Sequence, residues 1–258
     1  MIDIHVHILP GVDDGPRSQE EMILMAKQAV HNGITTVVAT PHHRNGLYEN
    51  PPETILQSLC ETNTILQQQE IPLTILPGME IRLYSDLIND LQKNQLIAFN
   101  QQNRHILVEL PHDHVPIYME RFIFELRLVG YVPIIAHPER NIHIRTNPNL
   151  LYRFIEMGAM AQMTAASLTG DMGKNVQKSA WDMINHQLIQ FIASDAHNVG
   201  KRGFILREAY EVIEHRLGRE YVQHYKESTQ NIIDGRDCLV LPPTKITKKF
   251  LGFFRPFT

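Results

Sequence analysis

His5-Val6-His7 closes the first apolar run of the chain, behind Met1-Ile2-Asp3-Ile4. Side chains two apart on a strand share a face, so both imidazoles project together. Neutral imidazole is a common metal ligand, and two on one face offer half of a coordination sphere. Other apolar runs close on further nitrogen or oxygen ligands: His42 (with His43 beside it), Glu80, Glu109, His137, then Asp195 and His197. Asp13-Asp14-Gly15, in the loop after the first run, adds carboxylates, although alone it reads as a plain turn. His31, His186, His215 and His224 fall on helix surfaces and turns instead, and His105 opens its strand at the wrong end. Imidazoles and carboxylates without thiolate exclude a Cys-rich structural zinc site and suit Mn, Fe, Zn or Co. The set is too large for one ion. Two or three ions sharing a carboxylate fit it, with Glu80 the best bridge.

The elements that must position these residues alternate along the chain. Strand Ile2–His7 precedes a helix opening at Ser18, where Glu21 completes a Ser-x-x-Glu capping box and Met22, Met25, Ala26 and Ala29 follow the helical period. The pattern continues as strand 34–40, helix 52–69, strand 73–76, helix 85–93, strand 105–110, helix 117–129 and strand 132–136. It ends as helix 149–157, strand 160–163, helix 174–185, strand 189–193 and helix 204–217. Seven strands, each followed by a helix, predict parallel pairing in an α/β fold, a closed or nearly closed seven-unit barrel. An open doubly wound sheet is the alternative. Barrel enzymes keep their chemistry at the C-terminal strand ends, and six of the seven strands end in a ligand type. The exception is the sixth, ending near Thr164.

Composition sets the remaining bounds. The 258 residues, 43% of them apolar, suit one large domain, and a net charge of −4 argues against nonspecific nucleic-acid binding. Cys60 and Cys238 form no Cys-x-x-Cys pair, so a reducing cytoplasm is expected. The ligand strand already fills the N-terminus, which leaves no room for a signal peptide, and no run approaches the roughly 20 apolar residues of a membrane span.

His5-x-His7, Thr40-Pro41-His42, Gly78-Met79-Glu80, His137-Pro138-Glu139-Arg140 and Ser194-Asp195-Ala196-His197 resemble the polymerase-and-histidinol-phosphatase (PHP) superfamily. Met1-Ile2-Asp3-Ile4-His5 with Val12-Asp13-Asp14-Gly15-Pro16 is similar to its bacterial protein-tyrosine phosphatase branch, found beside tyrosine autokinases in capsule and exopolysaccharide loci. The resemblance runs from residue 1 to about residue 235. It implies a distorted (β/α)7 barrel, a trinuclear site and manganese-dependent phosphatase activity. Carried over by position, it implies one ion at His5, His7, Glu80 and Asp195, and a second at Glu80, Glu109 and His137. The third would lie at Asp14 (or its neighbour Asp13), His42 and His197, with His43 secondary.

For phosphate-monoester hydrolysis, clustered divalent ions lower the pKa of bound water and clamp phosphoryl oxygens, which predicts direct attack of metal-bound hydroxide without a phosphoenzyme. Cationic donors must meet the developing charge. Arg140, three residues after His137, leads, then Arg202 beyond His197, with Lys201 and Arg44 weaker. A Cys-x5-Arg phosphatase loop is excluded, because Leu66 and Thr244 stand six residues after the two cysteines. The rival expectations are a small-molecule PHP phosphatase acting on histidinol phosphate or a sugar phosphate, an amidohydrolase-type barrel, and a catalytically silent docking module. Short strand-end loops leave little material for a lid and favour a protein substrate; the Asp-x-His after the last strand argues against an amidohydrolase, and the intact ligand set against the silent module.

The expected organisation is a metallophosphatase barrel over 1–240 and a basic, aromatic tail over 241–258. Residues 245–257 of that tail would touch the inner membrane face, another subunit or a membrane kinase, or pack on their own barrel.

Overall fold

The computed structural model describes residues 1–100 and 104–247. The apolar alternation of Ile2–Val6 forms β1, buried from Asp3 onward. Next comes α1 (Gln19–His31), whose Met22, Met25, Ala26 and Ala29 are the buried stripe. Ser18 caps it by accepting the amide of Glu21, but the Glu21 carboxylate accepts the amide of Arg17, one residue before the cap. The chain continues through β2 (Thr36–Ala39), β3 (His42–His43), α2 (Pro52–Gln68), β4 (Thr74–Pro77), β5 (Glu80–Arg82) and α3 (Leu87–Gln92). It then runs through β6 (His105–Glu109), α4 (Met119–Leu128), β7 (Val132–Ala136) and a 3-10 turn at Pro138–Arg140. Helices α5 (Ile142–Thr146) and α6 (Asn149–Glu156) precede β8 (Met160–Thr164); α7 (Ala165–Thr169), α8 (Lys174–Asn185), β9 (Phe191–Ala193), α9 (Leu206–Leu217) and α10 (Arg219–Ile233) complete the described elements.

This is a mixed α/β fold in which every strand pairing is parallel. One sheet has the order β1-β2-β4 and the other β3-β5-β6-β7-β8-β9. Among the described residues the seven predicted strands thus fold as nine, because the segments after two of them break and resume in the second sheet. The first break is Thr40-Pro41, where proline donates no ladder hydrogen bond. The second is Gly78-Met79. A Cβ on Gly78 would lie 2.5 Å from Val38 Cγ1 and 3.1 Å from the Ala39 carbonyl oxygen, so only glycine lets the two segments pass this closely. After each break the chain pairs His42 with Glu80 in register. Main-chain bonds also join the first strand to the last: the Asp195 amide donates to the His5 carbonyl and the His7 amide to the Ala196 carbonyl, both at 2.9 Å. Asp3, buried beneath them, accepts the amides of Ser194 and His5.

The larger core lies where the helices pack on the strands. A smaller cluster draws Ile4, Val38, Leu107, Ile134, Met160 and Phe191 from six different strands of both sheets. Helix α10 was not predicted, because its buried stripe of Val222, Tyr225, Ser228, Thr229 and Ile232 is interrupted by two hydroxyl residues. Of the C-terminal segment, residues up to 247 run along the body. Thr244 bonds His186, and Ile246 exchanges hydrogen bonds with Asn149. The rest of the expected tail, 248–258, lies outside the described residues. Among the described residues no helix is long and apolar enough to cross a membrane.

Candidate metal centre

His5 and His7 leave β1 on one face, and their Nε2 atoms stand 3.2 Å apart. Each Nε2 is also 3.4 Å from Glu80 Oε2 and 3.5 Å from Asp195 Oδ1. All four residues are buried. The edge of a tetrahedron with bonds of about 2.0–2.1 Å is roughly 3.4 Å, the spacing of His5, His7 and Glu80, which form one three-donor group, while Asp195 approaches both imidazoles at the same range without joining a group among the described residues. The opposite ring nitrogens are already engaged, Nδ1 of His5 with Gln162 Oε1 at 2.8 Å and Nδ1 of His7 with Asp13 Oδ2 at 2.6 Å. With protons on both Nδ1 atoms, two Nε2 lone pairs confront each other across 3.2 Å. A cation between them would resolve that opposition.

His42 spans two further groups. Its Nδ1 lies 2.9 Å from Glu80 Oε2 and 3.8 Å from Glu109 Oε2. Its Nε2 is 3.5 Å from Asp14 Oδ1, which is 3.3 Å from His197 Nε2. Three donor groups result: His5-His7-Glu80, His42-Glu80-Glu109 and His7-Asp14-His42-His197. Glu80 belongs to two of them, as a bridge would. His137 places its Nε2 2.9 Å from Glu80 Oε1 and stacks on the His5 ring, and it joins no group of three among the described residues. Asp14, not Asp13, faces the ring nitrogens of His42 and His197. Asp13 accepts from His7, from the His42 amide and from the Gly15 amide, which braces the loop instead.

Buried polar atoms are normally paired. Here Nδ1 of His42, Oε2 of Glu80, Oε2 of Glu109 and Nε2 of His197 are buried with ion-pair contacts but no well-aligned hydrogen bond, and all four belong to the donor groups. Together with the spacing and the thiolate-free chemistry, this fits divalent cations bound through nitrogen and oxygen.

The electrostatics of four of the donors agree. Burial alone would raise the carboxyls of Glu80 and Asp195, yet the imidazole of His5 and its neighbours hold both well below the usual carboxylate range. Burial, with Arg140 beside one ring and His7 beside the other, brings His137 and His197 down to about 4. Ionised carboxylates and neutral imidazoles are the forms that ligate. Three donors depart from this: burial and the negative charge of Glu80 push Glu109 up to about 7, and, against burial, Glu80 and Asp195 raise His5 while Asp13 holds His7 well above the ordinary imidazole value.

Local backbone turns these side chains inward. His137 and Asp195 follow β7 and β9 in the left-handed region, with φ of 33° and 55°. Non-glycine residues rarely sit there, and such strain gathers at functional sites. Both predicted arginines reach the cluster. Arg140 donates to Asp195 Oδ2, and Arg202 Nη1 donates to Asp14 Oδ2 at 3.1 Å with Nη2 3.5 Å from Asp195 Oδ1. Asp14 is 38% exposed at its side chain and Arg202 35%, so the cluster opens to solvent on their side. Arg44 instead stacks on Tyr84 and pairs with Asp90, and the His43 ring accepts the Asn50 amide. His105 is buried at the far end of β6.

Three supporting residues escaped the sequence reading. Arg82, two positions after Glu80 and so on its face, holds Glu109 Oε2 at 3.1 Å. Gln162 holds His5. Glu139 accepts from the Thr164 amide and the Ser167 hydroxyl, tying the Arg140 turn to the end of β8. Only the alternation around Glu80 carried a signal, and only for Arg82.

Residues 1–233 match the family described as capsular polysaccharide synthesis, CpsB/CapC. The chain is 44% identical over 255 residues to the tyrosine-protein phosphatase YwqE of Bacillus subtilis, covering 98% of this chain and all of the relative. It is 30% identical over 223 residues to the tyrosine-protein phosphatase CpsB of Streptococcus pneumoniae, covering 84% and 91%. Its fold superposes with a TM-score of 0.94, over 96% of this chain and all of the other, on a solved structure from work on YwqE and CpsB that describes them as metal-dependent tyrosine phosphatases. A phosphotriesterase homology protein of Escherichia coli, 8% identical with a TM-score of 0.57 over 89% of this chain and 97% of that one, shares the fold alone. The chain therefore belongs to the CpsB/CapC family of capsular polysaccharide synthesis proteins.

Proposed function

We infer that this chain is a metal-dependent protein-tyrosine phosphatase. The observation that carries the reading is the convergence of His5, His7 and Glu80, with Asp195 against both imidazoles, within a chain that matches YwqE over 98% of its length. The residues proposed to hold the ions are His5, His7, Asp14, His42, Glu80, Glu109, His137, Asp195 and His197. Manganese is the proposed metal, in two or three ions, with iron, zinc and cobalt compatible with the same donors. Divalent ions, when bound, polarise the phosphoryl group and supply a hydroxide nucleophile at neutral pH.

The protein's own residues do the rest. Arg140 and Arg202 border the donors and offer guanidinium forks to the phosphoryl oxygens, where charge grows in the transition state. Arg82 holds Glu109 in place. Neither cysteine lies among these groups: Cys60 is exposed on α2, and the Cys238 thiol donates to the Ser228 carbonyl.

A protein substrate is favoured by the open side at Asp14 and Arg202. Leu47, Ile117 and Val199, exposed apolar side chains, also stand on loops that follow ligand-bearing strands, and exposed Ile142 opens α5 just after the His137–Arg140 turn. Such residues suit contact with a polypeptide around the phosphotyrosine. The substrate proposed is a membrane-associated tyrosine kinase that controls capsule or exopolysaccharide synthesis, met in the cytoplasm, with residues 245–258 touching the membrane or a partner and self-association open to this family member. We also take the two sheets as one interrupted seven-unit barrel over 1–240. The bonds between β1 and the end of β9, and the cluster drawn from six strands, support that reading.

The deciding experiment assays the purified chain with Mn²⁺, Fe²⁺, Zn²⁺ and Co²⁺ on phosphotyrosine peptide, phosphoserine peptide and histidinol phosphate. Metal-dependent turnover greatest on phosphotyrosine is expected. A preference for histidinol phosphate would make the chain a small-molecule phosphatase.

A further inference from the structure

We propose that Gln162 is a positioning residue of the metal centre, its amide oxygen fixing His5 in the tautomer that turns a bare Nε2 toward the other donors. The inference rests on the metal-centre reading above.

The C-terminal end of β8 brings no imidazole or carboxylate to the cluster. Gln162, in the middle of β8, is fully buried, and its Oε1 lies 2.8 Å from Nδ1 of His5. A neutral imidazole carries a single N–H, and the nitrogen that binds a cation must be the bare one. Nε2 is the nitrogen of His5 that faces His7, Glu80 and Asp195, so the proton belongs on Nδ1. That proton needs an acceptor, and Gln162 Oε1 is the atom in place. With the amide reversed, two N–H groups would oppose each other.

The remainder of the side chain points the same way. Gln162 Nε2 is buried with no hydrogen-bond partner. Burying an unpaired donor is costly, and a residue that merely filled space would carry no such group. The oxygen is therefore the working atom. His7 has a counterpart in Asp13, but Asp13 also braces the His42 and Gly15 amides, whereas the Gln162 side chain serves His5. A neutral acceptor also suits a site that already gathers the carboxylates of Glu80, Glu109, Asp14 and Asp195. Metal-binding histidines are held in this way by an acceptor on the opposite nitrogen, and removing it typically weakens metal binding about 10–100-fold.

The test is direct titration of the full chain with Mn²⁺ and with Zn²⁺, comparing wild type, Gln162→Leu and Gln162→Glu. Gln162→Leu keeps the approximate volume and deletes the acceptor; its metal affinity should fall about 10–100-fold. Gln162→Glu restores an oxygen at the same reach and should stay within a few-fold of wild type. Undiminished affinity in Gln162→Leu overturns the proposal, and so does an equal loss in both variants, which would make the amide merely structural. Should Gln162→Leu fail to fold, ¹⁵N-histidine spectra of the Zn²⁺-loaded wild type decide: a proton on Nδ1 of His5 is expected, and a proton on Nε2 refutes it. A wild-type chain that takes up neither ion removes the metal centre itself. Uptake by wild type with an unaffected Gln162→Leu removes only this inference.

Discussion

Arg140 and His5 grip opposite oxygens of Asp195: the guanidinium donates to Oδ2, while Oδ1 faces the imidazole Nε2 at 3.5 Å. The carboxylate thus stands between a cation of the protein and the position proposed for an ion. Because Oδ1 keeps its own contacts with His5 and His7, Arg140→Ala should leave metal content unchanged. Phosphotyrosine turnover should fall about 10²–10³-fold or more, the usual effect of deleting a donor that stabilises transition-state charge. Metal analysis beside kcat/KM checks both halves. Wild-type turnover would remove Arg140 from the reaction, and lost metal would make it a brace for Asp195.

Chelation should separate ligands from neighbours. A cation bound only by the folded chain stabilises it by about 2.7 kcal/mol at a free concentration a hundred times Kd. EDTA should therefore lower the wild-type unfolding temperature, and Mn²⁺ should restore it. Glu80→Ala and Asp195→Ala should lose activity together with that metal-dependent shift. Retention of the full shift in Glu80→Ala would exclude Glu80 as the shared ligand.

Much of this site was legible before the fold was known, for a geometric reason. Parallel strands with helical crossovers carry all their C-terminal ends to one side, so polar residues closing apolar runs are brought together whatever the loops do. Glu80 needed more. It lies beyond the break at Gly78-Met79, and only the tight pass of Gly78 over Val38 starts a new strand at that point. Gln162 was illegible because an amide in an apolar strand has no periodic signature; its meaning is a contact with His5, 157 residues away. The choice between Asp13 and Asp14 likewise depends on how the loop folds back. Gly15 packs against the His7 carbonyl, where a Cβ would lie 2.5 Å from the oxygen, and this leaves Asp13 bracing and Asp14 facing the cluster.

His105 should make the fold acid-sensitive without involving the metal centre. It lies at the opposite end of β6 from Glu109, and burial, helped by Arg104 and Arg127, lowers it to about 4 from an ordinary value near 6.5. The unfolded chain binds this proton more readily than the folded one. Its contribution to stability is thus complete above about pH 6.5 and is lost as pH falls toward 4. Urea unfolding at steps from pH 7.5 to 4.5, in excess chelator, should show wild type losing stability more steeply than His105→Gln, by up to one proton or about 1.4 kcal/mol per pH unit. Parallel curves would show that His105 is protonated alike in both states.

The close pass at Gly78 predicts a coupling between this residue, in the break after β4, and Val38 of β2. Gly78→Ala places a methyl 2.5 Å from Val38 Cγ1, 3.1 Å from the Ala39 carbonyl oxygen and 3.2 Å from Phe99 Cδ1. Overpacking of this kind costs about 1–3 kcal/mol. Val38→Ala alone leaves a void and destabilises as well. Combined, the new methyl at position 78 occupies space vacated by the Val38 side chain, so the double variant should lose less stability than the sum of the single ones. A favourable interaction energy of at least about 0.5 kcal/mol is expected from denaturant unfolding of the four proteins. Since Gly78 also sets where β5 begins, Gly78→Ala should weaken Mn²⁺ binding through displaced Glu80, and Val38→Ala should recover part of it. Strict additivity in stability would mean that the backbone at Gly78 moves aside and that the strand break does not depend on this contact.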